Sequence, residues 1–204
     1  MTHLALHEAP RLVLASGSPR RADVLRQLGL EPEVRAADID EAYLPGETPA
    51  AHVERLARAK AEAVASKERG ALVVGGDTVV AIDGRVLSKP RDADSAVGML
   101  MALAGREHEV YSGIAVAGTH GVVSAVARTV VRFRPFGAEV ARRYVATGEP
   151  LDKAGAYGIQ GRGAALVESI DGDYYCVVGF PVGAFIDLLG RAGWRYEFGR
   201  LTPR

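Results

Sequence analysis

Apolar positions follow two periods along the chain, and together they predict most of its elements. Arg11–Ala15 reads as a strand, and the short continuous apolar run Ala71–Val74 as a buried one. Ser18 as N-cap and Pro19 at the first helical position open a helix that Gly29 closes. After a short strand at Glu33–Ala37, Thr48 and Pro49 open a helix of roughly five turns. Its apolar stripe is Val53, Leu56 and Val64, with Lys60 on the same face. Thr78–Ile82 and Arg85–Leu87 flank Asp83-Gly84, which predicts a type I′ hairpin. Asp92–Leu103 is expected to be helical, with Ala96, Met99, Leu100 and Leu103 inward. Two long β-rich segments follow, Glu107–Val116 and Val122–Phe133, then a helix from Gly137 to Ala146 and a glycine-rich loop. A last hairpin through Asp171-Gly172, a helix from Pro181 to Arg191 and a polar tail complete the reading. Hairpins among interspersed helices predict an α/β chain built on a mixed sheet with flanking helices, not a doubly wound parallel one.

Composition narrows this picture. At 204 residues the chain can bury a core as one domain or as two lobes sharing a sheet, and no repeat or linker divides it. We expect a single domain over 1–204, with residues 1–10 as a flexible extension. Lysine plus arginine and aspartate plus glutamate number 25 each, which argues against broad binding to nucleic acid or anionic membrane but permits a local basic pocket. The single Cys176 cannot form an intrachain disulfide, and no zinc-type Cys/His cluster exists. No long apolar run precedes Arg11 and none later spans a bilayer, so a soluble cytoplasmic protein is the expectation.

Chemistry concentrates at a few points. Arg20 and Arg21 set two cations at the positive end of a helix, an unfavourable place unless an anion sits there. With the free N–H groups of the first turn and Gly17 before them, they describe a phosphate cradle, although two solvated arginines fit the spacing equally well. Lys60 on a core stripe either snorkels to solvent or aims an ammonium into a cleft. A methionine there would suit the stripe at least as well for folding. Asp77 follows a buried run and two glycines, so it reads as a carboxylate at a cleft floor or as one satisfying turn amides. The acidic turn Asp38–Glu41 is either solvated or a source of oxygen ligands. Gly155–Gly161 is either a bulged loop or a backbone that approaches a ligand, with Gln160 able both to donate and to accept.

One resemblance gathers these points. Leu14-Ala15-Ser16-Gly17-Ser18-Pro19-Arg20-Arg21 running on to Leu25, Gly76–Val80, Lys89-Pro90, His108–Gly113, Glu149–Gly161, Gly172–Tyr174 and Val177–Pro181 occur in order over nearly the whole chain. The series resembles the Maf family, nucleoside triphosphate pyrophosphatases also described as septum-formation proteins. That resemblance implies an elongated α/β fold like that of the inosine triphosphate pyrophosphatases, with two lobes around a central cleft. It implies that Asp77 is the proton acceptor and that Ser16, Arg20, Arg21, Lys60 and Lys89 bind the substrate phosphates. A divalent cation, magnesium or manganese, would be held by Asp77 and Glu41, with Asp38 and Asp40 as weaker candidates. Arg20, Thr78 and Gln160 fall at the family's specificity positions. Glutamine at 160, where an acidic residue marks the 7-methyl-GTP group, resembles members that prefer dTTP and UTP. A neutral amide matches the alternating acceptor and donor of a uracil edge, which agrees with that split. Gly76 departs from the family's usual alanine, and Ser88 from its usual glycine or glutamate. The resemblance implies a nucleotide-pool cleaning role linked to cell-division arrest, and it leaves a homodimer open. The rival readings are a non-catalytic nucleotide-binding regulator of septum formation and a 7-methyl-GTP pyrophosphatase.

Overall fold

The computed structural model describes residues 9–204; the expected flexibility of residues 1–10 therefore lies mostly outside the described residues. One mixed sheet organises the chain. It comprises β1 (Leu12–Leu14), β2 (Glu33–Val34), β3 (Leu72–Ile82), β4 (Arg85–Leu87), β5 (Glu107–Gly118), β6 (Gly121–Phe133) and β7 (Val167–Asp171). The order is β2-β1-β3-β5-β6-β7, with β4 pairing to β3. β1 runs parallel to both β2 and β3, and every other pairing is antiparallel. The 13 residues of β6 span about 40 Å at strand rise, long enough to carry two separate clusters of helices.

Among the described residues six α-helices cover it: α1 (Pro19–Gln27), α2 (Pro49–Ala65), α3 (Ala93–Leu103), α4 (Ala138–Val145), α5 (Tyr174–Val178) and α6 (Val182–Arg191). Alternation along β3 sorts them. Leu72 and Val74 face a core completed by Leu25, Phe180, Phe185 and Leu188 of the α1–α6 side. Val73, one residue out of phase, faces α2 through Ala57, Ala61 and Val64. At the other end of the strand, Val80 and Ile82 join Leu100, Val131, Phe133 and Tyr144 under α3 and α4. These separate cores on shared strands are the two lobes expected from the sequence.

Several elements differ from the sequence reading. β3 does not break at Gly75-Gly76 but runs unbroken for 11 residues, which puts Asp77 in mid-strand. The glycines serve packing instead. A Cβ at Gly75 would lie 2.8 Å from the Ala61 nitrogen and closer still to the Ala57 carbonyl; one at Gly113, opposite Asp77, would lie 2.9 Å from the Glu54 nitrogen. The missing side chains let α2 sit directly on the sheet. The expected strand over Glu33–Ala37 shortens to two residues. Asp171-Gly172 turns not into a strand but into α5, capped by the Asp173 side chain on Tyr175 N. The tail is not merely polar: β8 (Trp194–Tyr196) and β9 (Leu201–Pro203) form a hairpin. The Asp83-Gly84 turn is as expected, both residues having positive φ, 50° and 72°. No helix among the described residues is long and apolar enough to cross a membrane.

Candidate active site

β1 ends at Leu14 opposite Val74, and β4 first pairs at Val80, so β3 has a bare edge between them. A cleft of about 770 Å³ opens at that edge, beyond the carboxyl end of β1. Side chains reach it from both faces of the sheet, Asp77 from the α2 side and Thr78 from the α1 side. One wall is the Ala15–Arg21 loop with Glu41 and Tyr43; the other is Ser88, Lys89 and the Glu149–Gly161 segment.

Lys60 projects from α2 onto the floor. Its Nζ lies 2.8 Å from Asp77 Oδ1 and 2.8 Å from Glu41 Oε1, and the residue is 7% exposed. It therefore does not snorkel to bulk solvent. Asp77 is 8% exposed and does not cap turn amides; Lys60 occupies one of its oxygens, and Oδ2 has no hydrogen-bond partner among the described residues. Burial pushes the Glu41 carboxyl up, but the hydrogen bond and charge of Lys60, with Lys89 and Arg21 behind it, outweigh this and hold it below the usual range.

Arg21 turns inward. Its Nε donates to Gly179 O (2.9 Å), Nη1 to Ser16 Oγ (2.7 Å) and Nη2 to Thr78 Oγ1 (3.1 Å). All three acceptors are neutral, and among the described residues no carboxylate lies within ion-pair distance. Burial lowers the pKa of this guanidinium, partly countered by Asp77. A buried cation with two of its five N–H groups unspent is half of an anion site. The hydroxyl relay behind it has a fixed direction. Ser112 donates to Cys176 O at 2.7 Å, so Thr78, 2.9 Å away, donates to Ser112 and accepts from Arg21. Thr78 thus has no proton left for a ligand.

The remaining candidates are brought together less tightly. Arg20 lines the cleft but pairs with Asp152 (2.8 Å), which Lys153 also holds at 2.6 Å. Burial raises the Asp152 pKa, but these two cations pull it down to about 2. Lys89 lines the cleft, is exposed, and has no ion-pair partner among the described residues. Gln160 lines it with no side-chain hydrogen bond to any described residue. Ser18 holds the N-cap backbone shape but makes no side-chain cap; the Ser16 hydroxyl accepts the Ser18 N–H instead, at 3.2 Å. Asp38 and Asp40 stay out of the cleft, and Asp40 caps the Ala42 N–H.

A divalent cation fits the donor set. No group of three or more metal-type side chains occurs among the described residues. Asp77 and Glu41, both hydrogen-bonded to one ammonium, nevertheless supply the one or two carboxylates with which magnesium is normally held beside substrate phosphates. Five cationic and four carboxylate side chains line the cleft, so without such an ion a polyphosphate would meet a nearly balanced site.

The family model described as Maf-like protein matches residues 11–192, a span that includes every candidate site residue. The chain belongs to the Maf family. A dTTP/UTP pyrophosphatase of Anaeromyxobacter dehalogenans is 53% identical over 196 residues, 94% of this chain and 99% of that protein. Those of Moorella thermoacetica and Symbiobacterium thermophilum are 52% and 49% identical, each alignment covering 90% of this chain and 95% of the relative. The solved structure of the Staphylococcus aureus Ham1 protein aligns with 60% of this chain and 71% of its own at 15% identity and a TM-score of 0.42, a match too distant to speak to activity.

Within this Maf member the two departures are accommodated. Gly76 pairs with Ile114 in the ladder, so its backbone is held, and a Cβ there would sit 3.1 Å from Arg21 Nε. The Ser88 carbonyl accepts the Gly155 N–H at 3.3 Å, a backbone bond within one wall that leaves the side chain at 88 free to vary. Sequence reasoning missed the brace on the loop that carries Glu41, where Arg55 Nη2 donates to the neighbouring Ala42 O at 2.9 Å. Tyr43 stacks on His52 with centroids 3.5 Å apart, and Glu47 receives His52 Nδ1 (2.8 Å) and Arg55 Nε (2.6 Å). Arg55, by its hydrogen bonds above all, holds Glu47 well below the usual carboxylate range. Burial, with Asp77 and Glu47 nearby, pushes the Tyr43 phenol up to about 12. One signal was available: His52, Leu56 and Lys60 share a helical face, so two polar residues interrupt the stripe.

Proposed function

We propose that this protein is a nucleoside triphosphate pyrophosphatase that hydrolyses dTTP and UTP to the monophosphate and pyrophosphate. The observation that carries the reading is Asp77, a buried carboxylate with one oxygen held by Lys60 and the other unpaired at the floor of a cleft lined by cations. Its membership of the Maf family and the relatives' names support the substrate class.

Arg21 and Ser16, fixed to one another, receive phosphate oxygens at the start of α1, and Lys89 and Arg20 reach the chain of phosphates from the cleft mouth. Asp77 Oδ2 accepts the proton of a water directed at the α phosphorus. Lys60 keeps the carboxylate oriented and offsets negative charge as the pyrophosphate leaves. A divalent cation held by Asp77 and Glu41 would neutralise charge on the phosphates. Gln160 offers a donor and an acceptor to the base edge, which fits uracil and thymine and leaves a mismatch with the amine of cytosine.

Pyrophosphate release should be followed over dTTP, UTP, CTP and 7-methyl-GTP, with and without magnesium or manganese. The expected outcome is metal-dependent turnover of dTTP and UTP, at least about tenfold ahead of CTP in kcat/KM. Asp77→Asn should lose about 10²–10⁴-fold in kcat while still binding triphosphate. A variant keeping a tenth of the rate would remove Asp77 from the base role.

A further inference from the structure

Gln160 sits on a segment that contributes no strand and only short 3-10 turns (Glu149–Asp152, Ala154–Ala156 and Gly161–Leu166), yet both its flanks are tied to one pair of side chains. Gly158 N donates to Tyr144 Oη at 3.2 Å. Arg162 N and Gly163 N donate to Glu149 Oε2 and Oε1, each at 3.0 Å. Tyr144 completes the ring by donating its proton to Glu149 Oε1 at 2.9 Å. From this arrangement we infer that Glu149 and Tyr144 are positioning residues for Gln160 and set the discrimination between uracil-type and cytosine bases. The inference rests on the proposed pyrimidine-triphosphate reading.

The glycines of the segment match this role. Gly161 has φ +64°, and a Cβ there would lie 3.1 Å from Glu149 Oε2. A Cβ on Gly163 would meet the Tyr144 ring at 3.0 Å and the Gly158 carbonyl closer still. The chain therefore wraps around the Tyr144–Glu149 pair at van der Waals distance, with Gln160 between the tied points. Burial raises the Glu149 pKa, but the N–H groups of Gly163 and Arg162 and the Tyr144 hydroxyl hold it below its ordinary value. Both Glu149 oxygens accept from the protein, and the one Tyr144 proton is spent on Glu149. Neither group keeps a donor for a base, whereas the Gln160 amide has no partner among the described residues. Discrimination therefore resides at Gln160, and its placement at Glu149 and Tyr144.

Tyr144→Phe removes one oxygen and leaves Gly158 N without its acceptor. Glu149→Gln puts an amide donor against a backbone donor. For both variants the kcat/KM ratio of UTP over CTP should fall about tenfold, through KM for UTP, with kcat near wild type. Gln160→Ala should abolish the same preference, and adding Tyr144→Phe to it should cost no further discrimination. Calorimetry with the α,β-methylene analogues of UTP and CTP reads the preference without turnover, so an inactive protein still tests it. If Glu149→Gln fails to fold, Tyr144→Phe alone decides. An unchanged ratio in a folded Tyr144→Phe variant would overturn the inference. So would additive losses in the double variant, or equal binding of the two analogues by the wild type. Absence of pyrophosphate release from every triphosphate would instead overturn the hydrolase reading alone.

Discussion

Lys60 reverses an expectation that looks safe from its stripe. A methionine there fits the apolar face, but the ammonium it replaces is the hydrogen-bond partner of the buried Asp77. Lys60→Met should therefore lose activity and also about 3 kcal/mol of stability, because it leaves an unpaired buried carboxylate. Chemical denaturation would check this, and a variant as stable as wild type would show that Asp77 draws its compensation elsewhere. His108 gives a second residue-scale test. It is 2% exposed, its Nε2 meets Tyr157 Oη at 2.8 Å, and its Nδ1 has no partner among the described residues. Burial lowers its pKa from 6.5 to about 4, so the folded protein holds it neutral while the unfolded chain protonates. Stability is thus complete above pH 6.5 and falls as pH drops towards 4, by about 3 kcal/mol in all. Some 2 kcal/mol, roughly, goes between pH 6.5 and 5, before unfolded carboxylates titrate appreciably. His108→Gln should flatten that window in urea titrations, whereas an equal slope in the variant would place the titration elsewhere.

Helix and strand meet most closely where α2 crosses β3 and β5, and glycine makes the crossing. Gly75→Ala should cost about 3 kcal/mol, since its Cβ would press on helix backbone that cannot swing aside, and should also part Lys60 from Asp77. Gly98→Ala, in the exposed middle of α3 with nothing within 4 Å, should stabilise by about 0.5–1 kcal/mol. Thermal melts of the pair would separate packing from propensity; equal shifts would contradict the close contact. The same crossing marks where local reading ended. Helix starts at Pro19 and Pro49 were legible because proline at the first helical position acts locally, and the Asp83-Gly84 turn because it needs only its own φ angles. Gly75 looked like a strand breaker because its real neighbours, Ala57 and Ala61, lie on another element. The terminal hairpin was illegible for a similar reason: Tyr196 donates to Leu28 O, 168 residues away in sequence.

Across the whole molecule, the site exists because two lobes share long strands and leave one edge of β3 bare between β1 and β4. The candidate phosphate and base residues come from five separate segments, and no spacing rule brings Ser16, Lys60, Asp77, Lys89 and Gln160 together. The family resemblance assembled that set, and the fold lines one cleft with all of it. What the resemblance left unseen were the supports: the Ser112–Thr78–Arg21 relay, the Tyr43–His52–Glu47 brace and the Arg20–Asp152 pair across the cleft mouth. The central claim is that Asp77 directs water at the α phosphorus of a nucleoside triphosphate. Turnover of dTTP in water enriched in oxygen-18, with mass spectrometry of the products, tests it most directly. The label is predicted to appear in dTMP and not in pyrophosphate; label in pyrophosphate, or release of inorganic phosphate in its place, would contradict the account.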